Sequence, residues 1–276
     1  MMRRLLVFYS AFRIPNSAIE EFRIPRSAFR LIALMGLGCY VAPYSLNAVL
    51  PPENAMITRG LFTILLIGLT NTSRAADDGW IEMFNGKDLT DWIIDGPTEY
   101  KDKADGNKAK PLWIVEDKMI RTAGLGFGFL RYDKQFTDFV YHVEYRMVKG
   151  GNSGLGVRTT VFDPKQSMAS RPSFYSYEIQ LLDDSDKSAD KHSTCSLYRY
   201  VAPTAVAHEP APEWNVVEVE CIGPKIRVTM NGEEVLNVDQ TTAEEIKNKP
   251  LTGYVCIQSH SKQVEFRNLK IKELKK

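Results

Sequence analysis

Histidine and cysteine are scarce in this 276-residue chain, at four each, and they never fall into the spacings of a known metal or redox site. There is no Cys-x-x-Cys and no His-Glu-x-x-His. A Gly-x-Ser-x-Gly elbow is missing too, which removes the usual serine-hydrolase signature. Gly124-Leu125-Gly126-Phe127-Gly128 lies between strand-like runs rather than before a helix, so its glycines serve turns and not a dinucleotide phosphate. Excess charge is also lacking: 35 Lys and Arg against 34 Asp and Glu leave +1. The first 75 residues hold eight Arg, no Lys and three acids, which leaves 27 basic and 31 acidic residues, a charge of −4, in the remainder. A mildly acidic body is not steered to nucleic acid or to anionic lipid. With 44% hydrophobic residues the composition excludes collagenous, disulfide-scaffold and wholly disordered classes.

Residues 1–55 read as a doubtful extension. Phe12-Arg13-Ile14-Pro15-Asn16-Ser17-Ala18 recurs ten residues later as Phe22-Arg23-Ile24-Pro25-Arg26-Ser27-Ala28, a repeat too short to be a folding unit. Residues 56–75 carry the pattern of a signal peptide: Arg59, an apolar run over 61–69, and Ser73-Arg74-Ala75 as a small-x-small cleavage site. The expected product, 76–276, is a single exported domain, periplasmic or extracellular, with no stable membrane insertion. The competing reading keeps 31–50, apolar and long enough to span, as a membrane anchor. Three cysteines follow residue 75, so one disulfide at most can form, and Cys221 and Cys256 fall inside strand-like runs as buried apolar residues do.

Beyond residue 76 the apolar residues alternate with period two. Phe139-Val140-Tyr141-His142-Val143-Glu144-Tyr145-Arg146-Met147 is the plainest case, and Val217-Glu218-Val219-Glu220-Cys221 and Ile226-Arg227-Val228-Thr229-Met230 repeat it. Asn231-Gly232 marks a two-residue hairpin turn. Further strands are expected over 112–115, 119–122, 128–132, 154–160, 175–182, 196–199, 233–238, 254–259 and 264–274, with surface loops at 102–110 and 162–172 and one helical turn over 242–247. The fold class that follows is all-β, a two-sheet antiparallel jelly-roll sandwich.

Two segments suggest a ligand site. In Tyr177-Glu178-Ile179-Gln180-Leu181-Leu182-Asp183 the apolar residues claim the core face, so Glu178 and Gln180 share the other face. In Gly150-Gly151-Asn152-Ser153-Gly154-Leu155-Gly156-Val157-Arg158 the same alternation groups Gly154, Gly156 and Arg158, and the two glycines are expected to leave room above the sheet. Together these form a polar trough for a hydroxyl-rich ligand. Alternation alone also accounts for a Glu and a Gln on a solvated face. His142, His192 and His208 read as solvated strand or loop residues. His260 stands at a strand end, as functional groups often do. Trp80, Trp92, Trp113 and Trp214 read as core rather than as sugar platforms.

Gly79-Trp80-Ile81-Glu82-Met83-Phe84-Asn85-Gly86-Lys87-Asp88-Leu89 resembles the opening block of the 3-keto-disaccharide hydrolase domain family. Asn152-Ser153-Gly154, the 177–183 segment, Glu213-Trp214-Asn215, Val228-Thr229-Met230-Asn231-Gly232 and Ile257-Gln258-Ser259-His260 resemble later blocks in the same order. Members often flank the late histidine with an acid and a glycine, where this chain has Ser259 and Ser261. The resemblance implies a concanavalin A-like fold and an exported enzyme cleaving 3-keto-glycosides, as a hydrolase or as a 1,2-lyase with hydratase activity. A C3 ketone acidifies the C2 proton, so the reaction needs a base and an oxyanion stabiliser. Glu178 and His260 are the candidate catalytic residues, and Asn152, Arg158, Gln180, Tyr198 and Asp183 the candidate substrate contacts. No cofactor is fixed by the sequence, although a divalent metal on oxygen ligands could polarise the ketone. The alternatives are a conventional glycoside hydrolase, which needs two facing carboxyl groups, and a non-catalytic carbohydrate-binding module.

Overall fold

The computed structural model describes residues 79–163, 165 and 168–275. The extension at 1–55 and the signal segment at 56–75 lie outside the described residues. The strands, in chain order, are β1 (Trp80–Glu82), β2 (Trp92–Asp95), β3 (Glu99–Asp102), β4 (Lys108–Pro111), β5 (Trp113–Glu116), β6 (Met119–Thr122), β7 (Gly128–Phe136) and β8 (Phe139–Met147). They continue as β9 (Asn152–Thr159), β10 (Tyr177–Leu182), β11 (Asn215–Ile222), β12 (Lys225–Met230), β13 (Glu233–Asp239), β14 (Gly253–Ser259) and β15 (Val264–Glu273). A four-residue helix, α1 (Pro172–Tyr175), precedes β10.

The strands form an antiparallel jelly-roll sandwich. One sheet has eight strands in the order β13-β12-β11-β8-β15-β6-β5, with β1 added alongside β15. The other has five, in the order β10-β9-β14-β7-β2, and β3 and β4 form a separate hairpin. Alternation decides what lies between the sheets. Tyr141, Val143 and Tyr145 of β8 and Val217, Val219 and Cys221 of β11 meet Leu155, Val157, Ile179, Leu181, Val255 and Ile257 of the smaller sheet in one buried cluster. Burying each such side chain contributes roughly 1.5–3 kcal/mol. Asn231 (φ 49°) and Gly232 (φ 84°) make the tight turn that joins β12 to β13, a left-handed pair that suits the strand twist.

The outer faces of the two sheets differ. Strand β8 alternates buried and half-buried along its whole length, as a strand solvated on one side does. Strands β9, β10 and β14 are buried almost continuously; α1 packs over β9 and β10, and Phe162 packs on Cys256 of β14.

Several sequence expectations shift locally. The 102–110 loop is a hairpin, since β3 and β4 pair from Glu99–Pro111 to Asp102–Lys108. The 196–199 run is not a strand: left-handed backbone at Cys195 (φ 65°) and Arg199 (φ 76°) breaks the extension, and only Leu197 bridges to Ile179. The strand expected from residue 175 begins at Tyr177, after α1. Trp92 and Trp113 are core, whereas Trp214 lies partly exposed between the guanidinium groups of Arg146 and Arg267. Cys195, Cys221 and Cys256 are buried free thiols. Among the described residues no helix is long and apolar enough to cross a membrane.

Candidate active site

The small sheet sets the site. Strand β10 pairs with β9 so that Glu178 stands opposite Gly156 and Gln180 opposite Gly154. On the far side of β9, β14 contributes Gln258 and, just past its end, His260. Asn152, Glu178, Gln180, Tyr198, Gln258 and His260 line one pocket of about 60 Å³, and Phe127, Arg171 and Ser173 complete its lining. Tyr198 is placed by the backbone: its N–H donates to Glu178 O at 2.9 Å, along the free edge of β10.

Glu178 and Gln180 are 6% and 4% exposed, so they are not the solvated outer-face residues that alternation alone would allow. Gln258 Nε2 donates to Glu178 Oε1 at 2.8 Å. The Oε1 atoms of Gln180 and Gln258 are buried without a hydrogen-bond partner. Buried polar groups are ordinarily satisfied, so two unpartnered acceptors in one pocket leave it with unused capacity to accept hydrogen bonds. Burial pushes the Glu178 carboxyl up to about 7, against the opposing pull of hydrogen bonds from Gln258 and Ser173 and of the nearby Arg171 and Arg199 charges. Burial and the Arg171 charge hold the His260 imidazolium below its ordinary range. The lining of the pocket thus includes, near neutral pH, a carboxyl group close to half ionised and a neutral imidazole.

The glycines act differently from the expectation. A Cβ on Gly154 would sit 2.8 Å from Glu178 Oε1 and 2.9 Å from its Cγ, and one on Gly156 would sit 2.4 Å from Cys256 Sγ. The missing side chains do not leave an open floor. They let Glu178 lie down across β9 and let β14 and α1 close over it.

Two expected contacts are elsewhere. Arg158 is fully buried, with Nη1 donating to Gly223 O at 2.7 Å and Nη2 to Thr137 O at 2.8 Å, and it ties two turns together instead of facing the pocket. The alternation that grouped it with the glycines ends one residue early, because Arg158 has φ 54° and the β9–β14 register slips between Tyr254 and Cys256. Asp183 is also structural: its carboxylate accepts from Gly150 N at 2.8 Å and from Ala211 N at 3.3 Å, and it borders a different cavity.

Gln258, Arg171, Phe127 and Ser173 join the site without having been singled out. Gln258 was within reach of the alternation argument, since Val255 and Ile257 take the core and leave Gln258 on the Glu178 face. Arg171, over the Phe127 ring at 4.2 Å, comes from a connection with no periodicity to read. Among the described residues no group of three or more His, Cys, Asp or Glu side chains is arranged to hold a metal ion.

A chain from Bacteroides thetaiotaomicron named 3-keto-disaccharide hydrolase is 26% identical over 238 residues, covering 71% of this chain and 79% of that protein. A solved structure from Parabacteroides distasonis, whose name assigns it to the glycosyl hydrolases, matches with TM-score 0.56 and 24% identity over 71% of this chain and 94% of its own. A second from the same organism matches with TM-score 0.55 and 21% identity over 71% and 99%. These structures share the sandwich. The pattern of one domain family matches residues 79–272, which spans every strand from the first to the last and the whole pocket. The chain belongs to the 3-keto-α-glucoside-1,2-lyase-like domain family.

Proposed function

We propose that this carbohydrate-active chain cleaves 3-keto-glycosides by removing the proton at C2. The observation that carries the reading is that Glu178 is the one carboxylate among the residues lining the pocket. Conventional glycosidases ordinarily need two carboxyl groups facing the scissile bond. Asp183, the nearest candidate by sequence, is bound to backbone amides instead. One base suffices when the substrate supplies its own activation. With a ketone at C3, Glu178 takes the C2 proton, the electron pair forms the C1–C2 double bond, and the C1–O bond breaks with its pair going to the leaving group. Water then adds across the double bond, with its hydroxyl at C1 and its proton at C2. His260, at the pocket rim, is the second proton-transfer group, and Asn152, Gln180, Gln258 and Tyr198 orient the sugar hydroxyls. A carboxyl near 7 exchanges protons in either direction at neutral pH.

The unpartnered Oε1 atoms of Gln180 and Gln258 are the acceptors that would be offered to a partly hydrated, oxygen-preferring divalent cation, leaving Glu178 free as the base. When bound, such an ion supplies positive charge against the ketone oxygen. Loss of turnover on chelation and its return with Mg²⁺ or Mn²⁺ tests this part of the reading.

The deciding experiment is product analysis in deuterated water. Elimination followed by hydration places deuterium at C2 of the released sugar. A product without deuterium means direct hydrolysis, and cleavage of unoxidised glucosides at a comparable rate means a conventional glycosidase. Export through the 56–75 segment belongs to the same proposal, and a secreted product beginning at Ala76 is its check.

A further inference from the structure

A trough of about 900 Å³ adjoins the pocket. The two share Phe127 and Arg171 as a common wall. The Phe127 ring meets His260 on one side, with centroids 5.6 Å apart, and Phe162 on the other, at 5.8 Å. At about 60 Å³ the pocket has room for little beyond one sugar ring, and the trough is the larger space that shares a wall with it. We propose that the trough is the leaving-group site and that it is built for an aromatic aglycone rather than a second sugar; the inference rests on the elimination reading above.

The lining decides the chemistry. Ile94, Pro97, Val161 and Phe162 present apolar surface beside Phe127, and Val161 is 47% exposed. Phe127, Phe129 and Phe162 pack edge to face with centroids 5.1–5.8 Å apart, an arrangement that extends naturally to one more ring. Of the two carboxylates on this wall, Asp95 accepts from Arg131 Nε at 2.9 Å and from Phe162 N at 3.2 Å, and Asp163 accepts from Lys165 N at 2.9 Å. Thr98, Asp163 and Lys165 belong to the polar part of the lining, and a flat ring would cover the larger apolar part built on Phe127, Phe162 and Val161. Arg171 stands at the junction, and its Nε is buried without a hydrogen-bond partner. When the C1–O bond breaks, the electron pair goes to the aglycone oxygen. A phenolate there would be met by the guanidinium, while the C2 proton has gone to the base inside the pocket.

The test compares 4-nitrophenyl and methyl 3-keto-glucosides on wild type and on Val161→Asp, a change at an exposed residue outside the catalytic pocket. A charge in the trough should lower kcat/KM for the aryl substrate about tenfold and leave the methyl substrate unchanged. Equal effects on both substrates, or none on either, would overturn the proposal. If wild type cleaves neither substrate, the elimination reading fails by itself, and the trough is decided by saturation-transfer NMR with 4-nitrophenyl glucoside. Transfer to the aromatic protons that is lost in Val161→Asp supports the site. Transfer that is absent in wild type, or unchanged in the variant, sinks it.

Discussion

Two buried carboxylates in this sandwich have opposite fates. Glu178 is 6% exposed and Asp184 3%, so desolvation works against the charged form of both. Glu178 has neutral amide and hydroxyl partners and is pushed up to about 7. Asp184 accepts from Thr194 Oγ1 at 2.7 Å and from Thr194 N at 3.2 Å. His208 Nε2 lies 3.2 Å from its Oδ1, off the axis of an ideal hydrogen bond. These partners overcome desolvation and hold the Asp184 carboxyl below its ordinary value. Burial alone therefore does not make a catalytic acid. What separates the two is whether the neighbourhood completes the carboxylate or leaves it to be completed by a ligand.

The largest expected effect contrasts the two by isosteric amides. Glu178→Gln should lower turnover of a 3-keto-glucoside by about 10³, the scale of a lost proton-transfer group. Asp184→Asn should stay within a few-fold of wild type. Following 4-nitrophenol released from the aryl 3-keto-glucoside by absorbance measures both, and equal losses would show that Glu178 is also only structural.

Stability should reverse the order. Asp184→Asn removes the charge that holds Thr194 and His208 and should cost about 2–3 kcal/mol in urea unfolding at pH 7. Asp184 has a depressed folded value, so its contribution is present above about 3.8 and is lost as pH falls below it. Glu178 has the opposite sign. Its folded value lies above the ordinary 4.5, so burial of the protonated form is favourable at low pH and becomes a penalty as pH rises through 7. Glu178→Gln should therefore stabilise the inactive protein by about 3 kcal/mol at pH 8 and by almost nothing near pH 4. A stability difference that does not change with pH would mean that the carboxyl is not desolvated as the structure places it.

The same contrast shows how far residues can be read before coordinates. Alternation placed Tyr177, Ile179 and Leu181 in the core and turned Glu178 and Gln180 away from it, because a strand flips its side chains at every step. His260 is read from its strand end, while Asn152 and Tyr198 are named with the family resemblance, and all three line the pocket. The argument failed at Arg158, where one left-handed residue ends the alternation, and no pattern of hydrophobicity announces such a residue when it is not a glycine. It failed at Asp183 because backbone amides from positions 33 and 28 residues away compete for that carboxylate. Arg171 and Phe127 reach the pocket from loops, whose paths are set by the surface they cover and not by a period. The Asp184–His208 pair was illegible for the same reason, both partners being in connections between strands.

The smallest effect is the most discriminating for mechanism. If Glu178 removes the C2 proton, the acidic limb of kcat/KM in the free enzyme should titrate near 7, with a rise of about tenfold between pH 6 and pH 8. His260 is shifted in the other direction, below 6.5, by burial and by Arg171. A histidine base would therefore put the same limb lower and give a smaller rise over that interval. The two assignments differ by sign of shift from their ordinary values, so a single profile distinguishes them. Repeating it with Arg171→Gln sharpens the result. Removing that cation should raise both groups, because Arg171 favours the charged carboxylate and disfavours the charged imidazole. An upward move from 7 then assigns the limb to Glu178, an upward move from below 6.5 assigns it to His260, and a limb that does not move belongs to neither.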